Sequence, residues 1–124
     1  MCKRELFEQL GEGYSDDFVG TVDGIGGVFF KKGIRYRNVC LIEVRRYGHN
    51  EDIPVAHVWV DIIESDLKSV KKGQQIVVFG TIEAYTRKNK TSDIGLRTYT
   101  IKRVLERREI NGNIEKNSNS IKTC

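Results

Sequence analysis

The sequence predicts an all-β domain in which five strands and one short helix follow in the order β-β-β-α-β-β. Two apolar runs of strand length, at residues 55–63 and 76–82, are the first observation behind this prediction. The second is the polar segment between them. It contains Ser65, a typical helix-start residue, and ends at Gly73, a typical helix stop, so a short helix is expected near residues 65–70.

The third predicted strand, residues 55–63, alternates with the period of a strand that is buried on one side. The positions expected to face the core are Ala56, Val58, Val60 and Ile62. The positions expected on the other side are Val55, His57, Trp59 and Asp61. A strand that presents His57 and Trp59 on its second side offers a ligand a flat and polarizable surface.

The first two strands are predicted from glycines and from a second alternating pattern. The first strand begins at residues 18–23, where Gly20 allows a sharp bend that a side chain would obstruct. The glycines in 24–27 permit a bulge, and residues 29–33 fit a hairpin tip. The second strand is expected over residues 34–47. Its positions predicted to face the core are Ile34, Tyr36, Cys40, Ile42 and Val44. Those predicted to face outward are Arg35, Arg37, Glu43 and Arg45, with Val39 and Leu41 between them.

The remaining strands, predicted at residues 75–85 and 96–106, complete one domain over residues 18–109. A short helical segment at residues 1–17 precedes it, and this helix either caps the barrel or lies free. Residues 110–124 are poor in apolar side chains and rich in Asn and Ser, so we expect a disordered tail.

Basic residues are concentrated in the predicted domain. Residues 18–109 carry 17 basic and 11 acidic side chains, a net charge of +6, whereas residues 1–17 carry a net charge of −3. Basic domains favour polyanions, most often nucleic acid. On charge alone, a solvated surface that is rich in Lys and Arg is an equal alternative.

The cysteine pattern and the hydropathy argue against several other classes. Cys2, Cys40 and Cys124 are too few and too far apart for a disulfide framework, and neither histidine has a cysteine at zinc-ligand spacing. No segment resembles a signal peptide or reaches the ~20 apolar residues of a spanning helix. We therefore expect a cytoplasmic protein with no membrane partner and no bound metal.

Catalytic residues and cofactors are not predicted either. Asp61, Glu64 and Asp66 are close in sequence, but they fit helix caps and solvated charges better than a metal-binding carboxylate cluster. Ser65 fits a helix N-cap better than a nucleophile. The glycines in 24–27 follow a strand, but no phosphate-binding helix follows them. The sequence therefore favours a protein that is not an enzyme.

The order of elements, the glycine-bent first strand and the phrase Gly73-Gln-Gln-Ile-Val-Val-Phe-Gly-Thr-Ile-Glu-Ala-Tyr85 together resemble an OB-fold, a five-stranded barrel. More narrowly, His57-Val-Trp-Val-Asp61 and Tyr85-Thr-Arg-Lys88 are similar to segments of small OB-type nucleic-acid-binding proteins of bacteriophages and other mobile elements. This resemblance covers residues 18–106.

OB-folds that bind single strands use the face of their second and third strands, between two flanking loops. Such binding requires cations for the phosphates and aromatic rings for the bases. In this chain the candidates are Lys31 and Lys32 in the first loop, Arg35 and Arg37 on the second strand, His57 and Trp59 on the third strand, and Arg87, Lys88 and Lys90 in the second loop.

Each candidate has a structural alternative. Trp59 is either a core or half-buried supporting residue or a ligand platform, and the loop lysines either bind phosphate or keep hairpin tips soluble. Tyr36 and Tyr99 are predicted in the core. The first functional hypothesis is a non-enzymatic OB domain that binds single-stranded DNA or RNA. The alternative is a protein-interaction OB domain, such as a phage-encoded inhibitor that docks on a host nucleic-acid enzyme.

Overall fold

The computed structural model describes residues 4–86 and 90–105, and it confirms the predicted all-β class. A single 3-10 turn, Glu64–Leu67, takes the place of the predicted helix between the third and fourth strands. It begins one residue before Ser65 and no side chain caps it, so the predicted N-cap role of Ser65 is wrong. The elements are α1 (Glu5–Leu10), β1 (Ser15–Lys31), β2 (Ile34–Arg46), β3 (Val55–Ile63), β4 (Gln75–Thr86), β5 (Ser92–Arg97) and β6 (Arg103–Val104).

The strands form one antiparallel sheet in the order β3-β2-β1-β4-β5, which curls into a half-barrel. β1 is the longest strand, with 17 residues, and lies in the centre. It pairs with β2 as far as its last residue, Lys31, but with β4 only from Ser15 to Thr21. Among the described strands, the far part of β1 therefore pairs with β2 alone as it leaves the barrel.

β1 bends at Gly20, as the sequence predicts. The pairing of β1 with β2 shifts register between Val19 and Thr21, on either side of this glycine. A Cβ atom at Gly20 would lie 3.0 Å from Cγ2 of Val44 and 3.2 Å from Cβ of Leu41. The missing side chain is what lets β2 pack this closely across the bend.

The predicted side assignment of β2 is wrong over most of its length. Val39 and Leu41 are fully buried and pair with Val60 and Val58 of β3, so the odd-numbered positions face the core. Ile34, Tyr36, Cys40 and Ile42 therefore face outward. Near the end of the strand Glu43 has a positive φ of 55°, and this local irregularity returns Val44 to the core side. Sequence alternation alone does not reveal such a change of parity.

The predicted fifth strand is interrupted. The strand begins earlier than predicted, since β5 starts at Ser92 in the expected loop and ends at Arg97. Only the short β6 recovers the later part of the predicted strand. Both β5 and β6 pair with β4, but residues 98–102 leave the sheet between them. There the N–H of Ile63 donates to the carbonyl oxygen of Tyr99 at 2.8 Å, and the N–H of Ile101 donates to Oδ2 of Asp66 at 3.0 Å. This excursion ties the far edge of the sheet to the end of β3 and narrows the open side of the half-barrel.

Arg4 makes the second link across the open side. Its Nη1 donates to the carbonyl oxygen of Ile94 in β5 at 2.7 Å, and its Nη2 donates to that of His57 in β3 at 3.0 Å. Because a guanidinium carries several N–H donors, Arg4 can hydrogen-bond to a backbone carbonyl of each edge strand at the same time.

The short helix α1 caps the core, which settles the two alternatives left by the sequence. Leu6 and Phe7 are buried, and the ring of Phe7 meets that of Phe18 edge-on at a centroid distance of 5.9 Å. Burial of these two side chains supplies stability that six helical residues lack in isolation. No helix among the described residues is long and apolar enough to cross a membrane.

Candidate functional site

The side of β2 and β3 that faces away from the core forms a continuous surface, which we call the outer face. In an antiparallel pair, residues directly opposite each other point to the same side. The pairs that make up the outer face are Tyr36 with Ile63, Asn38 with Asp61, Cys40 with Trp59, and Ile42 with His57.

Trp59 is the most exposed ring on this face. Its side chain is 59% exposed, although its neighbours Val58 and Val60 are buried on the core side. Cys40, directly opposite on β2, is small and buried, so it leaves room beside the indole. Of the two alternatives for Trp59, the structure excludes a core position. An exposed indole on a strand flanked by a small residue has the geometry of a stacking platform.

Carboxylates rather than cations surround the middle of the outer face. Asp61 accepts a hydrogen bond of 2.6 Å from Nδ2 of Asn38, next to Trp59 along the strand. Burial raises the pKa of the Cys40 thiol, and the nearby negative charge of Asp23 raises it further. An anionic group is therefore disfavoured immediately around the indole, whereas an uncharged ring is not.

An aromatic cluster lies at the end of the outer face that leads into the β1–β2 hairpin. Tyr36 stacks on Phe29 at a centroid distance of 5.7 Å, and Tyr99 tilts against Tyr36 at 5.8 Å. Nζ of Lys31 lies 5.6 Å from the Tyr99 centroid and 5.9 Å from the Tyr36 centroid, within cation–π range. We call Phe29, Tyr36, Tyr99 and Lys31 the aromatic cluster.

The aromatic cluster is not predicted by the sequence. Tyr36 is buried, as predicted, but against rings of the outer face and outside the main apolar core. Tyr99 is 38% exposed instead of buried, because the excursion at residues 98–102 carries it out of the sheet. Tyr36 and Tyr99 are far apart in sequence, so no local pattern predicts that their rings meet. The even parity shared by Tyr36 and Cys40 is the one hint present in the sequence.

Arg35 and Arg37 lie on the opposite side from Trp59, which corrects their predicted position beside it. Nε of Arg35 donates to Oε1 of Glu64 at 2.6 Å, and this hydrogen bond lowers the pKa of the Glu64 carboxyl. Nε of Arg37 donates to the carbonyl oxygen of Gly26 at 2.9 Å. Both arginines have odd numbers, like the β2 residues that face the core. They are not buried, because this part of β2 lies beyond the end of the barrel.

The other predicted cations and His57 are distributed as follows. Lys31 and Lys32 are exposed at the hairpin tip, and Lys90 is exposed at the start of the segment leading into β5. His57 is exposed on the outer face, two residues from Trp59, and its carbonyl oxygen is held by Arg4. Arg87 and Lys88 lie outside the described residues. The fold therefore joins His57, Trp59 and, through the aromatic cluster, Lys31 on one face.

One group of ligand-type side chains comes together within the described ranges, at His49, Glu51 and Asp52. Nη2 and Nε of Arg46 donate to the two oxygens of Asp52 at 2.8 and 2.9 Å. These hydrogen bonds hold the pKa of the Asp52 carboxyl below its usual range. The group is therefore accounted for by an ion pair that fastens the β2–β3 loop.

The three carboxylates that the sequence places near the predicted helix are also in structural use. Each accepts a hydrogen bond from a different part of the chain: Asp61 from Asn38, Glu64 from Arg35, and Asp66 from the Ile101 N–H. Because each carboxylate is held by a different partner, the three do not come together as the carboxylates of a catalytic pair do.

The fold is similar to that of a solved bacterial protein, the wild-type single-stranded DNA binding protein from Thermus aquaticus. The two share 20% sequence identity with a TM-score of 0.53, and the match covers 79% of this chain and 53% of that chain. This chain thus spans about half the length of the protein it matches. No family model and no curated protein matches the sequence. The likeness confirms the predicted OB-fold.

Proposed function

We propose that this protein is a non-enzymatic OB domain that binds single-stranded nucleic acid across the outer face. The observation that carries the proposal is Trp59, an indole that is 59% exposed on the third strand of an OB-fold. An exposed indole at this position offers a flat apolar surface that a stacked base can cover. The similarity to a single-stranded DNA binding protein supports the same choice of ligand.

The aromatic cluster extends this surface. Tyr36 belongs to the outer face and contacts Tyr99, so a second group of rings lies along the same two strands as Trp59. Bases stack on aromatic side chains without sequence preference, because every base has a flat π-face. A strand that crosses the outer face would therefore place one base on Trp59 and another on Tyr99.

The phosphates would run along the ends of the face. Lys31 and Lys32 lie at the hairpin end, and Lys90, exposed before β5, is a candidate phosphate contact on the other side of the sheet. Arg87 and Lys88 lie outside the described residues and stay predicted phosphate contacts. The carboxylates beside Trp59 would repel a phosphate group. We therefore expect bases, and not phosphates, to contact the middle of the outer face. Arg35 and Arg37 face the other way, so their contribution is to the overall positive potential rather than to direct contacts beside Trp59.

A binding titration tests the proposal. We expect a labelled single-stranded oligonucleotide, DNA or RNA, to bind in fluorescence anisotropy at ~50 mM salt, where electrostatic binding is strong. Trp59→Ala should weaken binding by about 1–3 kcal/mol per stacked base and leave the salt dependence unchanged. It should also melt like the wild type, because Trp59 does not belong to the core. Phe79→Ala, which removes another exposed ring (53%) on β4, is the matched control and should bind normally.

The lysines provide an independent second measurement. Lys31→Ala with Lys32→Ala should lower the log–log salt slope by roughly 0.7 for each lost single-strand phosphate contact. If the wild-type protein shows no oligonucleotide affinity at low salt, the proposal fails. The basic surface would then fit the alternative, a domain that docks on an acidic protein surface. A phage or mobile-element origin and a cytoplasmic location stay predictions.

A further inference from the structure

We propose that the tip of the β1–β2 hairpin is an apolar wedge that opens the first base pair where single-stranded nucleic acid meets a duplex. This inference rests on the proposed function and adds a preferred substrate to it, a fork or a primer junction. The hairpin tip is defined as residues 28–35.

The hairpin tip extends beyond the rest of the sheet. β1 loses its partner β4 after Thr21, and the pairing of β2 with β3 ends at Tyr36. Residues 28–35 therefore form a two-stranded ribbon. Lys32 and Gly33 have φ values of 52° and 79°, as in the tight two-residue turns that match the twist of a hairpin. Such a turn makes the tip narrow and well ordered.

Three apolar side chains on the two strands of the hairpin tip, next to its Lys31–Lys32 turn, are exposed to solvent. Phe30 is 62% exposed, Ile34 44% and Val28 38%. Proteins that open or kink a duplex insert apolar side chains of this kind between base steps. Cζ of Arg35 lies 5.4 Å from the Phe30 centroid, so a positive charge flanks the most exposed ring.

Charge identifies nucleic acid as the occupant rather than a second copy of this chain. Residues 28–37 contain Lys31, Lys32, Arg35 and Arg37 and no acidic residue. Glu64 pairs with Arg35, but the hairpin tip keeps a net positive charge. Two such tips would repel each other, whereas phosphates on both strands of a fork would be attracted. Phe29 stacks on Tyr36 of the outer face, so the surface proposed to hold the single strand continues into one side of the hairpin. Phe30, the next residue, pairs with Arg35 and faces the other side of the hairpin.

The experiment compares two ligands with the full chain. One is single-stranded oligothymidylate of about 16 nucleotides, the upper site size of an OB-fold. The other is a forked duplex with the same single strand and with 2-aminopurine in the first base pair, whose fluorescence rises when that pair unstacks. The variants are Phe30→Ala and Phe30→Leu. Phe79→Ala is again the control, because its ring is similarly exposed and lies on β4 opposite Asp17.

We expect the wild type to raise 2-aminopurine fluorescence and to prefer the fork by about tenfold, equivalent to about 1.4 kcal/mol. Phe30→Ala should abolish both effects and bind oligothymidylate like the wild type. Phe30→Leu, which retains apolar bulk, should preserve both effects, as should Phe79→Ala.

Three results would overturn the inference in distinguishable ways. If the wild type binds oligothymidylate but does not open the fork, or if Phe30→Ala opens it equally, the wedge is wrong and the proposed function stands. If the wild type binds neither ligand, the proposed function fails as well. If sedimentation shows a wild-type dimer that Phe30→Ala converts into a monomer, the hairpin tip is a contact between copies of this chain.

Discussion

Substitution of Gly20 by alanine tests the packing at the bend of β1. The added Cβ atom would lie 3.0 Å from Cγ2 of Val44 and 3.2 Å from Cβ of Leu41, closer than ordinary van der Waals contact. Val44 and Leu41 are fully buried, and the Leu41 Cβ is fixed to the backbone, so neither can move away freely. Overpacking of this kind is expected to lower the free energy of unfolding by about 1–3 kcal/mol.

Gly24→Ala is the matched control, since Gly24 lies in the same strand and a Cβ atom there would meet nothing within 4 Å. Neither glycine has a positive φ, so backbone strain does not distinguish them. The control should be neutral or stabilise the protein by up to about 1 kcal/mol, because alanine reduces the entropy of the unfolded chain.

Urea denaturation measures both variants. Gly20→Ala should lower the midpoint concentration without changing the slope, as a change in stability alone does. A Gly20→Ala protein as stable as the Gly24→Ala control would refute the reasoning. It would mean that β2 does not approach the bend of β1 as closely as the structure shows.

Two further substitutions test links that hold the loops in place. Asp52→Asn should lower the free energy of unfolding by about 1.5–3 kcal/mol at neutral pH, because it replaces a carboxylate that accepts from Arg46. Since the pKa of Asp52 is lowered in the folded state, its contribution is complete above about pH 4 and is lost as pH falls through the folded pKa. Wild type and variant should therefore converge in urea titrations at low pH, and a constant difference would contradict the assignment. Asp66→Ala should lower the free energy of unfolding by about 1–3 kcal/mol and speed hydrogen exchange at the Ile101 N–H. An unchanged exchange rate at this N–H would exclude its hydrogen bond to Asp66.

Much of the fold could be predicted from local patterns. The bounds of β3 match the prediction, and Val58, Val60 and Ile62 are buried as expected. The predicted sides are wrong at the start of the strand, where Val55 is buried in the core and Ala56 is only half-buried. The need for glycine at position 20 is also confirmed. These features depend on the period of two along a strand and on steric fit at one residue, which the sequence displays directly.

The candidate site could be predicted only in part. The sequence identified the third strand as the one that presents Trp59, but it left the exposure of this ring open. It also placed Arg35 and Arg37 beside Trp59, although the register puts them on the other side. This error arises from the change of parity near Glu43. Apolar residues occur at both even and odd positions of β2, so the sequence allows either side of the strand to face the core.

By itself, the sequence determined the β-rich class, the order of the elements and the positive charge of the domain, because composition and alternation are properties of neighbouring residues. Only the tertiary structure decided which side of β2 faces the core and where residues 98–102 leave the sheet. It also decided that Tyr99 meets Tyr36, a contact between residues more than half the chain apart. The N–H of Ile63 also donates to the carbonyl oxygen of Tyr99, so this region is fixed by contacts between distant residues, which local patterns in the sequence do not encode.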